Sequence, residues 1–301
     1  MTHGGLPELH LHLDGSLRAD TLRELAAPLG LHVPDELRFH QGMTLRQALD
    51  RFRLTLAVLQ TPQAVGRVAD EICQDAAQNG VTTLEIRFAP HLHHGAPMED
   101  IIDAAIEGCA GRAGIILCGL YGDDPGIFAD FTRAAHTRRA IVGIDLAGAP
   151  QPNDPWTLRD YKQAFGAARQ AGLGLTVHAG EGRPADEIRT AIEVLGATRI
   201  GHACSIMDDP ELVELAIQKG VTIESCPTSN VQTSAVASLK AHPVVDWLRA
   251  GLKVTLCADN TLFSDTTAAE EFDRVAEHLP LTPDDRLALI QHGHQAAFVR
   301  H

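Results

Sequence analysis

Pro7-Glu8-Leu9-His10-Leu11-His12-Leu13-Asp14-Gly15 alternates polar and apolar residues and ends at a glycine. A period of two is the pattern of a β-strand, whose successive side chains point to opposite faces. Residues 8–13 are therefore read as a first strand with His10 and His12 on one face. Seven further short apolar or alternating runs follow, at residues 81–88, 114–121, 140–147, 173–178, 199–203, 221–226 and 253–258. The stretches between them carry helix signals: Thr61-Pro62 opens one that stops at Asn79-Gly80, and Asp209-Pro210 opens another that stops at Gly220. Strand and helix thus alternate, which calls for parallel strands joined by right-handed crossovers. Eight such units predict a single α/β domain over residues 1–301, a (β/α)8 TIM-type barrel. An open, doubly wound sheet is the rival architecture. The barrel is favoured because chemically capable residues end several strands, including the first and the last, and only closure makes those two neighbours.

One connection is too long for a simple unit. Between the first strand and the second the sequence predicts a helical insertion or lid at about residues 17–79. Within it, Thr44-Leu-Arg-Gln47 has the form of a capping box, and Leu45, Ala48, Leu49, Phe52, Leu56 and Leu59 repeat at helical spacing. One face of this helix is expected to pack on the barrel wall. Leu49 and Phe52 are read as capping the mouth.

Composition narrows the function. A net charge of −14 repels phosphate backbones and anionic lipid, so neither nucleic acid nor membrane is expected as the main partner. A neutral small molecule fits better. The 45% of hydrophobic residues supply a large core, and the 4% of aromatics imply packing by aliphatic side chains. Six cysteines occur singly, without a CxxC pair, and read as reduced thiols. The N-terminal residues show no basic segment followed by an apolar one, so a cytoplasmic protein is expected. Oligomeric state is left open.

The chemistry concentrates at predicted strand ends. His10 and His12, two apart on one face, suit a transition metal. His178 ends the fifth strand in Val177-His178-Ala179-Gly180-Glu181, and Asp259 ends the eighth in Leu256-Cys257-Ala258-Asp259-Asn260. Strand C-termini are where barrel enzymes place their catalytic groups. Three histidines and one carboxylate leave room for a water, the coordination of a catalytic rather than a structural metal.

Pro7-Glu-Leu-His-Leu-His-Leu-Asp-Gly15, Gly80-Val-Thr-Thr-Leu-Glu-Ile-Arg-Phe-Ala-Pro90, Leu146-Ala-Gly148, His178-Ala-Gly-Glu181, Arg199-Ile-Gly-His202 and Ser225-Cys-Pro-Thr-Ser-Asn230 resemble, in order, the successive motifs of the adenosine deaminase family. The resemblance implies one zinc ion per chain on His10, His12, His178 and Asp259, with Asp259 counted among the catalytic residues as well. It implies that Glu181 protonates purine N1 and that His202 orients and stabilises the attacking hydroxide. These roles make chemical sense, because an aromatic amine leaves only after the ring carbon becomes tetrahedral, which needs a strong nucleophile and a proton on the ring nitrogen. The resemblance assigns Asp14 to a ribose hydroxyl and Gly148 to the purine edge. Relatives acting on free adenine tend to carry Glu where this chain has Asp14, so a nucleoside substrate is expected. Glu85 and Arg87 share a face of the second strand and are read as a structural ion pair beneath the site.

One departure bears on specificity. Many family members follow the ligand aspartate with a second aspartate and a proline, whereas this chain reads Asp259-Asn260-Thr261. The second position contacts purine N7, an acceptor, and an asparagine amide donates at any pH. The expected reaction is hydrolytic deamination of adenosine or a close 6-aminopurine nucleoside, in purine salvage. The alternatives are an aminodeoxyfutalosine deaminase and another barrel amidohydrolase acting on an amide or ester. No lysine occurs in Ile144-Asp145-Leu146-Ala147-Gly148 to bridge two metals, which argues for one.

Overall fold

The barrel closes where its first and last strands carry chemistry. In the computed structural model, which describes residues 4–299, the strands are β1 (Leu6–His12), β2 (Val81–Phe88), β3 (Gly114–Leu120), β4 (Ile141–Ala147), β5 (Gly174–Ala179), β6 (Arg199–His202), β7 (Thr222–Ser225) and β8 (Lys253–Leu256). Each pairs in parallel with its successor. The ring is completed by an isolated parallel bridge between Leu11 and Asp259. Its two hydrogen bonds run from His12 N to Asp259 O at 2.8 Å and from Asp259 N to His10 O at 2.9 Å. The seam therefore ties together the backbones of three expected metal ligands. The eight strands fall on the predicted runs. β7 and β8 stop one or two residues short of them, because the chain bends out of the ladder at the mouth.

Helices alternate with strands. Between β1 and β2 come α1 (Ala19–Ala26), α2 (Leu45–Val58) and α3 (Pro62–Gln78). Then follow α4 (Met98–Cys109), α5 (Ile127–Ala135), α6 (Lys162–Gln170), α7 (Ala185–Thr190), α8 (Pro210–Lys219), α9 (Pro227–Gln232), α10 (Val244–Arg249), α11 (Thr261–Ser264), α12 (Ala268–His278) and α13 (Pro283–Ala296). The local signals explain their ends. The Thr44 capping box forms in full at α2, Thr61 caps α3 with Pro62 in its first turn, and Asp209 caps α8, which ends on the left-handed Gly220. Leu, Ile, Val and Ala side chains fill the layer between sheet and helices.

The barrel interior is ionic beneath the site. Arg87 Nη1 lies 2.8 Å from Asp145 Oδ2 and its Nη2 2.8 Å from Glu224 Oε2, while Arg199 reaches Glu85 and Glu224 at 2.6 Å each. All five side chains are buried. This corrects the expected pairing of Glu85 with Arg87: two residues apart on one strand they lie side by side, and each takes its partner from another strand. The C-terminal segment stoppers the opposite end. Phe298 stacks on the Arg199 guanidinium with 3.6 Å to the ring centroid, and the Val299 amide donates to Glu85 Oε1 at 2.7 Å.

Candidate active site

The side chains of His10, His12, His178 and Asp259 converge at the carboxyl ends of β1, β5 and β8. His12 Nε2 lies 3.3 Å from His10 Nε2 and 3.2 Å from His178 Nε2, and Asp259 Oδ1 lies 3.4 Å from His12 Nε2 and 3.7 Å from His10 Nε2. Burial, the largest influence, holds the His10 and His12 imidazoles well below the ordinary histidine range, so both are neutral. Behind them, His10 Nδ1 is 2.7 Å from Glu224 Oε2 and His178 Nδ1 is 3.1 Å from Asp145 Oδ2. A carboxylate accepts, so each Nδ1 carries the proton and each Nε2 turns a lone pair inward. Converging lone pairs and a carboxylate repel one another unless a cation sits among them. Ligands at zinc–nitrogen bonds of about 2.0–2.1 Å in a tetrahedron lie roughly 3.3 Å apart, which is the spacing of these nitrogens. The donor set therefore fits a zinc-type ion.

Local backbone makes this convergence possible. Asp259 and His202 adopt left-handed φ values of 64° and 68°, the first three residues beyond the end of β8 and the second at the end of β6. Such conformations are costly for non-glycine residues and concentrate at functional sites. Here they turn both side chains inward. Gly201 must be glycine, since a Cβ there would stand 2.8 Å from His10 Cε1.

The remaining expected residues surround the ligands. Glu181, buried in the loop between β5 and α7, accepts a hydrogen bond from Thr233 Oγ1 at 2.9 Å, and its Oε2 lies 3.7 Å from His202 Nε2. Burial lowers the His202 pKa. His12, His178, Glu181, His202, Gly148, Asp259 and Asn260 line one small cavity of about 50 Å³, roofed by Leu49 and Phe52 of α2. A second cavity of about 210 Å³ adjoins it and shares His12, Gly148, Leu49 and Phe52; Asp14 and Tyr121 line its wall. Asp14 is buried with its Oδ1 unpartnered, and burial, with Asp259 nearby, pushes its carboxyl up to about 7. Asn260 Oδ1 packs against Gly15, where a Cβ would meet it at 1.7 Å. Neither cavity is lined by Lys or Arg.

Several contributors have no counterpart among the residues singled out from the sequence. Glu224 and Asp145 hold the outer nitrogens of two histidines. Tyr121 Oη and Arg183 Nη2 both donate to the His178 carbonyl, at 2.7 and 3.2 Å, and Arg183 Nη1 donates to Gly148 O at 3.3 Å. A carboxylate at an inward-facing position near the end of an apolar strand is the signal that marks Asp145 and Glu224. Arg183 and Tyr121 leave no such trace.

Closed parallel barrel, inward histidines and a neighbouring carboxylic acid define a hydrolytic β/α-barrel enzyme of the metal-dependent kind. The adenosine deaminase family model matches residues 6–301, and the chain belongs to that family. An adenosine deaminase of Enterococcus faecalis is 34% identical over 311 aligned residues, covering 97% of this chain and 91% of that protein. Among solved structures, an adenine deaminase from Arthrobacter aurescens superposes with a TM-score of 0.89 at 25% identity, covering 99% of this chain and 94% of that one. An N6-methyl-AMP deaminase from Arabidopsis thaliana does so at 0.85 and 25%, with 99% and 94% covered. Among the described residues no helix is long and apolar enough to cross a membrane.

Proposed function

We propose that the chain hydrolytically deaminates adenosine or a closely related 6-aminopurine nucleoside, releasing ammonia and the 6-oxo product. The observation that carries this reading is Glu181, a buried carboxyl group held by Thr233 on the cavity wall that also bears the histidine cluster. One zinc ion per chain, held by His10, His12, His178 and Asp259, would supply a water whose pKa falls from 15.7 to about 7. Glu181 donates a proton to N1 of the ring, so that C6 can become tetrahedral without charge building on the nitrogen. His202 directs Nε2 at the incoming oxygen and stabilises its charge, and the Asp259 carboxylate beside it relays the proton that the water loses to the departing amino group, which leaves as ammonia. Asn260 donates to N7, Gly148 faces the purine edge, and Asp14 accepts from a ribose hydroxyl. Leu49 and Phe52, on the segment spanning residues 17–79, act as a lid that keeps bulk water out, the rest of residues 1–301 forming one domain with it.

The lining favours an uncharged nucleoside over a nucleotide. A phosphate would face Glu181 and Asp259 in the smaller cavity or Asp14 in the larger, with no Lys or Arg lining either to balance it. Six free cysteines, five of them buried, support a reducing cytoplasmic setting. The test is a spectrophotometric screen of zinc-loaded protein against adenosine, deoxyadenosine, adenine, AMP and aminodeoxyfutalosine, with His12→Ala as control. Adenosine or deoxyadenosine should be the best substrate and AMP poor. Absence of ammonia from every 6-aminopurine overturns the proposal.

A further inference from the structure

His202 differs from His10 and His178 in what stands behind it. Where Glu224 and Asp145 back His10 and His178, the Nδ1 of His202 faces the side-chain amide of Asn230, 2.9 Å from its Nδ2. Asn230 sits on α9, and its Oδ1 lies 3.2 Å from Nε2 of His242, a buried residue just before α10. The chain of contacts ends on the backbone, where Val244 N–H donates to His242 Nδ1 at 3.3 Å.

That last group fixes all the others, because a peptide N–H can only donate. His242 Nδ1 must therefore accept. Burial holds the His242 pKa down to about 3, so the ring is neutral and its one proton sits on Nε2. Nε2–H donates to Asn230, which sets the amide with Oδ1 toward His242 and Nδ2 toward His202. The amide N–H then donates to His202 Nδ1, leaving the proton of a neutral His202 on Nε2, the atom 3.7 Å from Glu181 Oε2.

We propose that Asn230 and His242 are positioning residues that lock His202 in its Nε2–H tautomer, so that it gives the site a hydrogen-bond donor. The lock has two consequences. His202 stands close enough to His10 and Asp259 to be grouped with them as a candidate ligand set, yet a nitrogen that carries a proton cannot ligate, so His202 stays out of the coordination shell. Nor can Nε2 accept a proton in the resting enzyme; it stabilises negative charge on an attacking oxygen by donating to it. The group behind the ring thereby separates His10 and His178, backed by carboxylates and free to ligate through Nε2, from His202, backed by an amide and left as an oxyanion donor. This rests on the deaminase reading only for the role of His202 in turnover, since the tautomer itself is a property of the resting protein.

The test is 15N NMR of zinc-loaded protein labelled at histidine nitrogens, with His202→Gln used to assign the ring. The expected wild-type His202 has a pyridine-like Nδ1 and a pyrrole-like Nε2. Asn230→Asp places a carboxylate behind the ring, so Nδ1 should become pyrrole-like, and kcat should fall on the order of 10²-fold, as for loss of one oxyanion donor, with a much smaller change in KM. His242→Gln keeps an N–H for Asn230 Oδ1 and should retain the wild-type spectrum and kcat. A wild-type Nδ1 that is pyrrole-like, or an Asn230→Asp spectrum unchanged at His202, overturns the proposal. If Asn230→Asp does not fold, the wild-type and His242→Gln spectra decide alone. Should the protein deaminate nothing, the same spectra still answer, which separates failure of this inference from failure of the proposed function.

Discussion

Replacing Glu224 with glutamine isolates the buried ionic core from the ligands it supports. Glu224 is fully buried, accepts hydrogen bonds from His10 Nδ1 at 2.7 Å, Arg87 Nη2 at 2.8 Å and Thr176 Oγ1 at 3.1 Å, and pairs with the Arg199 guanidinium at 2.6 Å. Glu224→Gln keeps the shape, removes one negative charge and turns an NH2 group toward an arginine, which can only donate. Breaking a buried ion pair costs about 3–5 kcal/mol. Arg87 keeps Asp145 and Arg199 keeps Glu85, so the lower end, about 3 kcal/mol, applies. With an unfolding entropy of about 2.1 cal/mol/K per residue over 301 residues, that lowers Tm of the metal-free protein by about 5 °C. Zinc affinity should drop as well, by roughly 10–100-fold, because His10 loses the acceptor that orients its ring. The zinc-loaded variant therefore loses a further 1.4 to 2.8 kcal/mol or so at saturating metal. Calorimetry on metal-free and zinc-loaded protein, with chelator competition for affinity, reads both effects separately. A metal-free Tm within about 1 °C of wild type, together with unchanged zinc affinity, would refute the assignment of Glu224 as the hub.

Two other perturbations probe different parts of the structure. Burial pushes Glu271 on α12 from 4.5 up to about 7, so its contribution to stability is complete below about pH 4.5 and is lost as pH rises through 7; Glu271→Gln, neutral throughout, should gain on wild type by about 3 kcal/mol across that window. Parallel denaturation curves for the two proteins from pH 4.5 to 8 would contradict it. Gly15→Ala drives a Cβ into Asn260 Oδ1, so it and Asn260→Ala should each raise KM for adenosine, with the double variant far from additive. Additive losses would mean that Gly15 does not hold Asn260 in place.

The sequence made the strands readable because each is a short apolar or alternating run, because some of the helices between them, such as α3 and α8, carry clear caps, and because burial on both faces leaves little ambiguity. It also placed the ligand positions, since HxH on a strand and single polar residues at strand ends are visible in one dimension. Partnerships across the barrel are not. Glu85 and Arg87 are neighbours in sequence, yet they pair with Arg199 on β6 and with Asp145 and Glu224 on β4 and β7, contacts that only closure and stagger determine. Asn230 stood within a quoted motif without a role, because its function depends on His242 and a backbone amide of α10. Likewise, the depth at which Asp14 is buried, and hence its raised pKa, follows from the helices laid over the mouth rather than from the short turn after β1 that carries it.

The central claim is that this pocket protonates a 6-aminopurine while water attacks it. The most direct measurement is kcat/KM for adenosine with zinc-loaded wild type and Glu181→Gln at equal metal content, following ammonia. The account predicts inosine and ammonia from wild type and a loss of about 10²–10⁴ in the variant, the usual contribution of a positioned general acid. Glu181→Gln turning over adenosine at close to the wild-type rate, with its zinc retained, would contradict it.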